Sequence, residues 1–287
     1  MRRRTLIAVA LLALGVLAVG GVGELLSRPV RPVIGLPPAE LNAEAVRIPY
    51  ASGAQVSGWQ IRGRPGTGAV LLLHGVRSDR RQMTRRAGFL QRLGYSVLWI
   101  DLPAHGESSG DRITFGAREA QGVKAALAYL AHEAPGEPIG VIGVSLGAAS
   151  TVLAGEDPNV RAVVLESMYP TIDDAVANRL KRYLGPAGAS LAPLLLWQLP
   201  VRTGIDTAQL RPVARIGALH APVFIVSGSK DWHTTEAETR QIFDAAGQPR
   251  QLWIVEGAAH VDLHNFGRSA YEDRVGAFLG QYLVKPL

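Results

Sequence analysis

The pentapeptide Gly143-Val144-Ser145-Leu146-Gly147 sets a serine between two glycines, the G-x-S-x-G spacing of a nucleophile raised on a sharp turn. A serine hydroxyl attacks a carbonyl only when a base takes its proton and an acid orients that base. Two later stretches offer these partners: "PVFIVSGSKD" ends on Asp231 and "EGAAH" on His260, giving the order Ser, Asp, His. The chemistry this predicts is acyl transfer, with Ser145 as nucleophile, His260 as base and Asp231 behind it. The oxyanion of such a reaction needs two aimed backbone donors. Leu146, directly after the serine, is one candidate, and Val76 in "HGVRSDR" is the other. Among 32 glycines the pentapeptide alone is weak, since chance places it in roughly one such chain in six. Its surroundings have to decide.

Those surroundings alternate strand and helix. Residues 69–73, "AVLLL", and 96–100, "SVLWI", are short, continuously apolar runs suited to strands buried on both faces. Residues 139–143 form another, and 146–153 read as the helix after it, so Ser145 falls on a strand-to-helix turn. Gly143 and Gly147 leave room for neighbouring backbone there, and the free N–H groups opening the helix favour negative charge. Helical spacing marks 85–93 and 116–132, while 161–165, 222–226 and 251–255 complete the parallel strands. Residues 46–50 and 56–62 read as an antiparallel pair about Ser52-Gly53. Repeated strand–helix units require right-handed crossovers and a mostly parallel sheet, here eight-stranded, with helices on both faces. About 170–219 interrupts this rhythm with the apolar section "LAPLLLWQLP". Two readings stand for it, a helical lid or a plain pair of packed helices.

Other polar residues compete for roles. His233 shares a loop with Asp231, and His264 comes one helical turn after His260, so each is a weaker base. Asp262 and Glu256 sit too near His260 in sequence to bridge it easily. His74 lacks a second ligand at metal spacing and is expected to shape its loop by hydrogen bonds. His105 and Asp101 in "DLPAHGESSG" are expected to fix that loop, and Glu166 either joins the loop network or lines the pocket.

The whole chain bounds these readings. At 287 residues and 47% hydrophobic it can bury a large core, and with no cysteine it has neither disulfide nor thiolate metal site. Arg2, Arg3 and Arg4 supply half of the net charge of +6, and no basic block with interleaved aromatics argues for nucleic acid. After them, residues 6–23 are uncharged, just long enough to span a bilayer. We expect residues 1–23 to be a signal anchor, or a signal peptide cleaved near Gly21 or Gly23, with the remainder of the chain outside the cytoplasm. Residues 24–43 read as a proline-rich linker and 44–287 as the catalytic domain.

The ordered set "LLLHGVRSDR", "GYSVLWIDLPAHGESSG", "IGVSLGA", "PVFIVSGSKD" and "GAAH" resembles the α/β-hydrolase superfamily. Within it, the likeness is to the esterase-like branch labelled hydrolase_4 or serine aminopeptidase S33. One loop departs: Pro103 and Ala104 stand where relatives commonly carry Arg and Gly in D-x-R-G-H-G-x-S. The resemblance implies a Ser145, Asp231, His260 triad with Val76 and Leu146 amides as oxyanion hole. It also implies hydrolysis of an ester or related acyl bond without cofactor or metal. Thioesterase, lipase, peptidase or non-catalytic binding roles on the same fold stay open, as does oligomeric state.

Overall fold

The computed structural model describes residues 2–51 and 53–284. Ser52, of the expected turn Ser52-Gly53, and residues 285–287, at the end of the expected domain, lie outside the described residues, as does Met1. Along the chain run α1 (Arg2–Ser27), β1 (Glu44–Ala51), β2 (Ala54–Ile61), β3 (Ala69–Leu73), α2 (Thr84–Leu93) and β4 (Ser96–Ile100). Next come α3 (Ala117–Glu133), β5 (Ile139–Val144), α4 (Leu146–Ala154), β6 (Val160–Glu166) and α5 (Ile172–Leu184). The last elements are α6 (Ala192–Leu196), α7 (Leu199–Thr203), β7 (Val223–Gly228), α8 (Glu236–Ala245), β8 (Arg250–Val255), α9 (Leu263–Phe266) and α10 (Arg268–Leu283).

The eight strands form one sheet in the order β1-β2-β4-β3-β5-β6-β7-β8. The β1–β2 and β2–β4 pairs are antiparallel and every other pair is parallel. All five residues of β3 are buried, which is why it reads as an unbroken apolar run. Alternation still sorts them: Leu71 and Leu73 join the core beneath α3 and α4, while Val70 and Leu72 join the core beneath α2 and α10. β3 lies between β4 and β5, so the crossover from β3 to β4 and the next one, from β4 to β5, run in opposite directions across the sheet. Such a reversal opens a crevice at the carboxyl ends of the strands, where ligands bind in open α/β sheets.

Two segments differ from the simplest reading of the sequence. The first helix does not stop at Gly23 but continues to Ser27, where Ser27 Oγ donates to the Gly23 carbonyl at 2.8 Å. The proline-rich stretch after it is extended but not free. Val30 N–H donates to Ala104 O at 2.9 Å, and Ile34 is buried in the core beside Met83 and Trp99. Four short helical turns and α5 to α7 fill the interval between β6 and β7, the small helical insertion the sequence predicts.

Candidate active site

Ser145 occupies the turn between β5 and α4 at φ 50° and ψ −104°, a positive-φ conformation that costs a non-glycine residue about 1–3 kcal/mol. Its neighbours show what holds it there. A Cβ on Gly143 would meet Ala148 N at 2.6 Å, and one on Gly147 would meet Leu73 O at 2.5 Å. The two glycines thus let α4 fold back against β5 and β3, and the Ser145 N–H donates to Glu166 O at 2.8 Å on the adjacent strand. Ser145 is 3% exposed and lines a cavity of about 150 Å³ together with Val76 and Leu146.

At the ends of β7 and β8 the other two expected residues meet. Asp231 Oδ2 accepts from His260 Nδ1 at 2.8 Å, which assigns the ring proton to Nδ1 and leaves Nε2 as the basic nitrogen. The other oxygen, Oδ1, accepts from the N–H groups of His233 at 2.8 Å and Thr234 at 3.0 Å. Burial opposes ionisation of Asp231, yet the His260 bond, that ring's charge and the two backbone donors outweigh it and hold the carboxyl below its ordinary value.

Val76 sits in a loop clamped on both sides. The flanking N–H groups are taken, Gly75 by Gln82 Oε1 at 2.8 Å and Arg77 by His105 Nε2 at 3.1 Å. Asp101 secures the same loop: its Oδ1 accepts from Arg80 N–H at 2.8 Å and its Oδ2 from the Arg80 guanidinium at 2.6 Å. His74 is wholly buried, with Nδ1 donating to Gly75 O at 2.7 Å and Nε2 accepting from Leu102 N–H at 3.0 Å. Burial, aided by neighbouring His105, depresses its pKa to about 3 and keeps it neutral. His74 and His105 are therefore loop-shaping groups, and among the described residues no cluster of three or more His, Cys, Asp or Glu is arranged for a metal ion.

The rivals of the sequence reading take other places. His264 is buried with Nε2 toward Glu272 Oε1 at 3.1 Å. Asp262 accepts from Asn265 N–H and Arg86. Glu256 is exposed. Glu166 belongs to the loop network: it receives Arg86 through two bonds of 3.1 and 2.7 Å and the Tyr271 hydroxyl at 2.5 Å. Since Arg86 also reaches Asp262, two residues past His260, it ties the strand behind Ser145 to the histidine loop. No local signal marked Arg86, because its partners lie 80 and 176 residues away. His233, the other rival base, packs against His260 itself. Its ring stacks on His260 at 4.4 Å and 9°, and burial with nearby Arg179 lowers its pKa to about 4. A neutral ring thus packs flat against the one bonded to Asp231.

The cavity beyond Ser145 is apolar, walled by Phe115, Tyr169, Ile172, Leu196 and Leu199, with Arg77, Arg179 and Arg202 as its charged members. Among the described residues no carboxylate lines it. Unexpectedly, Gly23, Leu26 and Ser27 of α1 complete the wall.

Comparison with known proteins places this geometry. Residues 64–211 match the family described as serine aminopeptidase, S33. Uncharacterized protein YqkD of Bacillus subtilis is 23% identical over 84% of this chain and 80% of its own length. Uncharacterized protein Rv2307c of Mycobacterium tuberculosis is 28% identical over 83% and 80% respectively. Among solved structures, the Pyrococcus furiosus esterase Pf2001 superposes with a TM-score of 0.76 at 25% identity, over 90% of this chain and 98% of that one. An esterase from Exiguobacterium antarcticum, 13% identical over 82% of this chain and 99% of its own, shares the fold with a TM-score of 0.61. The chain belongs to the serine aminopeptidase S33 family of α/β-hydrolases, and it is a hydrolase.

Proposed function

We propose that this protein is a serine hydrolase that cleaves carboxylic esters through an acyl-enzyme on Ser145, held at a membrane by α1. The observation that carries this reading is the pairing of a strained Ser145 at the β5–α4 turn with an Asp231–His260 bond at the same sheet edge. In the first step His260 Nε2 takes the Ser145 Oγ proton as Oγ bonds to the ester carbonyl carbon. The oxyanion is received by the N–H groups of Val76 and Leu146, the latter the first donor of α4 and without an intrahelical acceptor. The ester C–O bond then breaks, and the leaving alkoxide takes the proton from His260. Water, deprotonated by the same ring, attacks the acyl carbon, and the acid departs with Ser145 restored.

An ester fits the cavity better than the aminopeptide of the family description. A free amino terminus would carry its ammonium into a space whose lining holds Arg77 and Arg179 and, among the described residues, no carboxylate, Arg202 being paired with Glu24. Ser145→Ala tests the proposal. Turnover of a short p-nitrophenyl ester and labelling by a fluorophosphonate probe should both vanish, while circular dichroism stays that of the native chain. Wild-type-level hydrolysis by that variant would remove Ser145 from the mechanism, and a wild-type protein that neither labels nor turns over would be a binding member of the fold.

A further inference from the structure

The segment that covers the cavity is apolar on two sides. Leu195, Leu196 and Leu199 of the α6–α7 region face the cavity. On the other side Leu194, Trp197 and Val201 stand 52%, 74% and 81% exposed, with Tyr183 and Leu184 at 74% and 59% nearby at the end of α5. Exposed apolar groups this concentrated mark an interaction surface, and a helix apolar all round belongs inside protein or membrane.

What covers this face is indicated by α1. The lid grips that helix through polar contacts: Gln198 Nε2 donates to Val19 O at 2.9 Å, Arg202 Nη2 to Gly20 O at 2.6 Å, and Arg202 Nη1 pairs with Glu24 at 2.7 Å. Arg112 holds the same Glu24 at 2.7 Å, and Arg77 donates to Leu25 O at 2.9 Å. The apolar span of α1 therefore leaves the domain right beside the lid. Glu24 is the first charge after that span and marks its water-facing end. Val19, where Gln198 touches, lies five residues earlier, or about 7 Å deeper at 1.5 Å per residue. Amphipathic elements that lie in a bilayer interface bury their apolar faces by about 5–10 Å. Trp197, next to Gln198, then sits at the level where tryptophan is enriched in membrane proteins.

The cavity leads to the same seam. Gly23 and Leu26 of α1 and Leu195 of the lid line the space that ends at Ser145. The two elements press together at Gly23, where a Cβ would come within 2.2 Å of Gln198 Oε1. We infer that the face carrying Leu194, Trp197 and Val201 rests in the acyl layer beside α1, and that the hydrolase draws acyl esters of membrane lipids from the bilayer, chain first, along the α1–lid seam to Ser145. The inference deepens the ester-hydrolase reading and rests on it. The bonds made and broken are those already described, with the lipid's alcohol as leaving group and water as co-substrate.

The test uses the full chain reconstituted in phosphatidylcholine vesicles with two fluorogenic esters of one leaving group, 4-methylumbelliferyl oleate dissolved in the bilayer and 4-methylumbelliferyl acetate in water. The triple variant Leu194→Ser, Trp197→Ser, Val201→Ser leaves the cavity lining intact. It should cleave the acetate at the wild-type rate, which also reports its folding, and the oleate about tenfold more slowly or worse, since each lost apolar group weakens interfacial seating. Quenching of tryptophan fluorescence by brominated-acyl phosphatidylcholine should fall in Trp197→Phe. Equal oleate rates in variant and wild type, or quenching unchanged by Trp197→Phe, would overturn the inference. A wild-type enzyme that cleaves acetate but not bilayer oleate would also overturn it, leaving the Ser145 mechanism standing. Cleavage of neither ester would remove both.

Discussion

Asp231→Asn isolates the orienting role proposed for the buried carboxylate. Oδ1 of Asp231 accepts two backbone N–H groups, from His233 and Thr234, and Oδ2 accepts His260 Nδ1. An asparagine keeps its single oxygen on the two backbone donors, because the reverse orientation would aim an NH2 at both. Its Nδ2 hydrogens then point at His260 Nδ1, and a donor meets a donor. The ring relieves this by moving its proton to Nε2, the nitrogen that has to accept the Ser145 proton. The change is nearly isosteric and retains the loop's backbone bonds, so the loss falls on catalysis rather than folding. Wrong-tautomer substitutions of this kind lower kcat by about 10⁴, or about 5.5 kcal/mol of barrier. Asp231→Ala, by contrast, leaves two buried N–H groups unpaired, at about 1–3 kcal/mol of stability each. The assay is kcat on a short p-nitrophenyl ester beside a urea unfolding curve for each variant. A kcat of Asp231→Asn within tenfold of wild type, with the unfolding midpoint unchanged, would refute the assignment of His260 as base and Asp231 as its orienter.

Further consequences concern stability. Arg86 and Glu166 are essentially inaccessible to water, so Arg86→Met leaves a buried carboxylate without its cation and should destabilise by about 3–5 kcal/mol in urea titration. The double variant Arg86→Met, Glu166→Gln should recover much of that loss, and a single-variant cost under about 1 kcal/mol would contradict the network's role. His74 ionises near pH 3 when folded against its ordinary 6.5, so between those values the unfolded chain binds the extra proton. Its contribution is therefore complete above pH 6.5 and is lost as pH falls toward about 3, on the order of 5 kcal/mol over the window. His105, depressed by burial in the same direction, adds to that slope. Unfolding free energies measured across the window should fall less steeply in His74→Gln, and equal slopes would show that His74 does not titrate in this way.

Much of the fold was legible because buried parallel strands are local signals. "AVLLL" and "SVLWI" are apolar almost throughout since both faces of the sheet are covered, and the turn at Ser145 announces itself through glycines that permit close backbone approach. The order of Ser145, Asp231 and His260 was legible for a related reason: each comes after a strand, and parallel strands deliver their carboxyl ends to one edge. The stacking of His233 on His260 was not legible, because adjacency to Asp231 in sequence says nothing about where a ring turns.

By itself, then, the sequence determined the elements, their order along the chain, and the three side chains that the sheet could bring to one edge, all consequences of local pattern and strand polarity. Only the tertiary structure decided what surrounds them. Arg86 reaches Glu166 and Asp262 from a third, separate segment. The helix read as a tether is bound to the helical insertion by Gln198 and Arg202 and forms part of the cavity wall. Both facts depend on residues 80 or more positions apart meeting in space, and no periodicity encodes such a meeting. The residues that line the cavity at Ser145 are set by packing between distant segments, whereas the residues proposed to react with a substrate are set by the strand ends on which they stand.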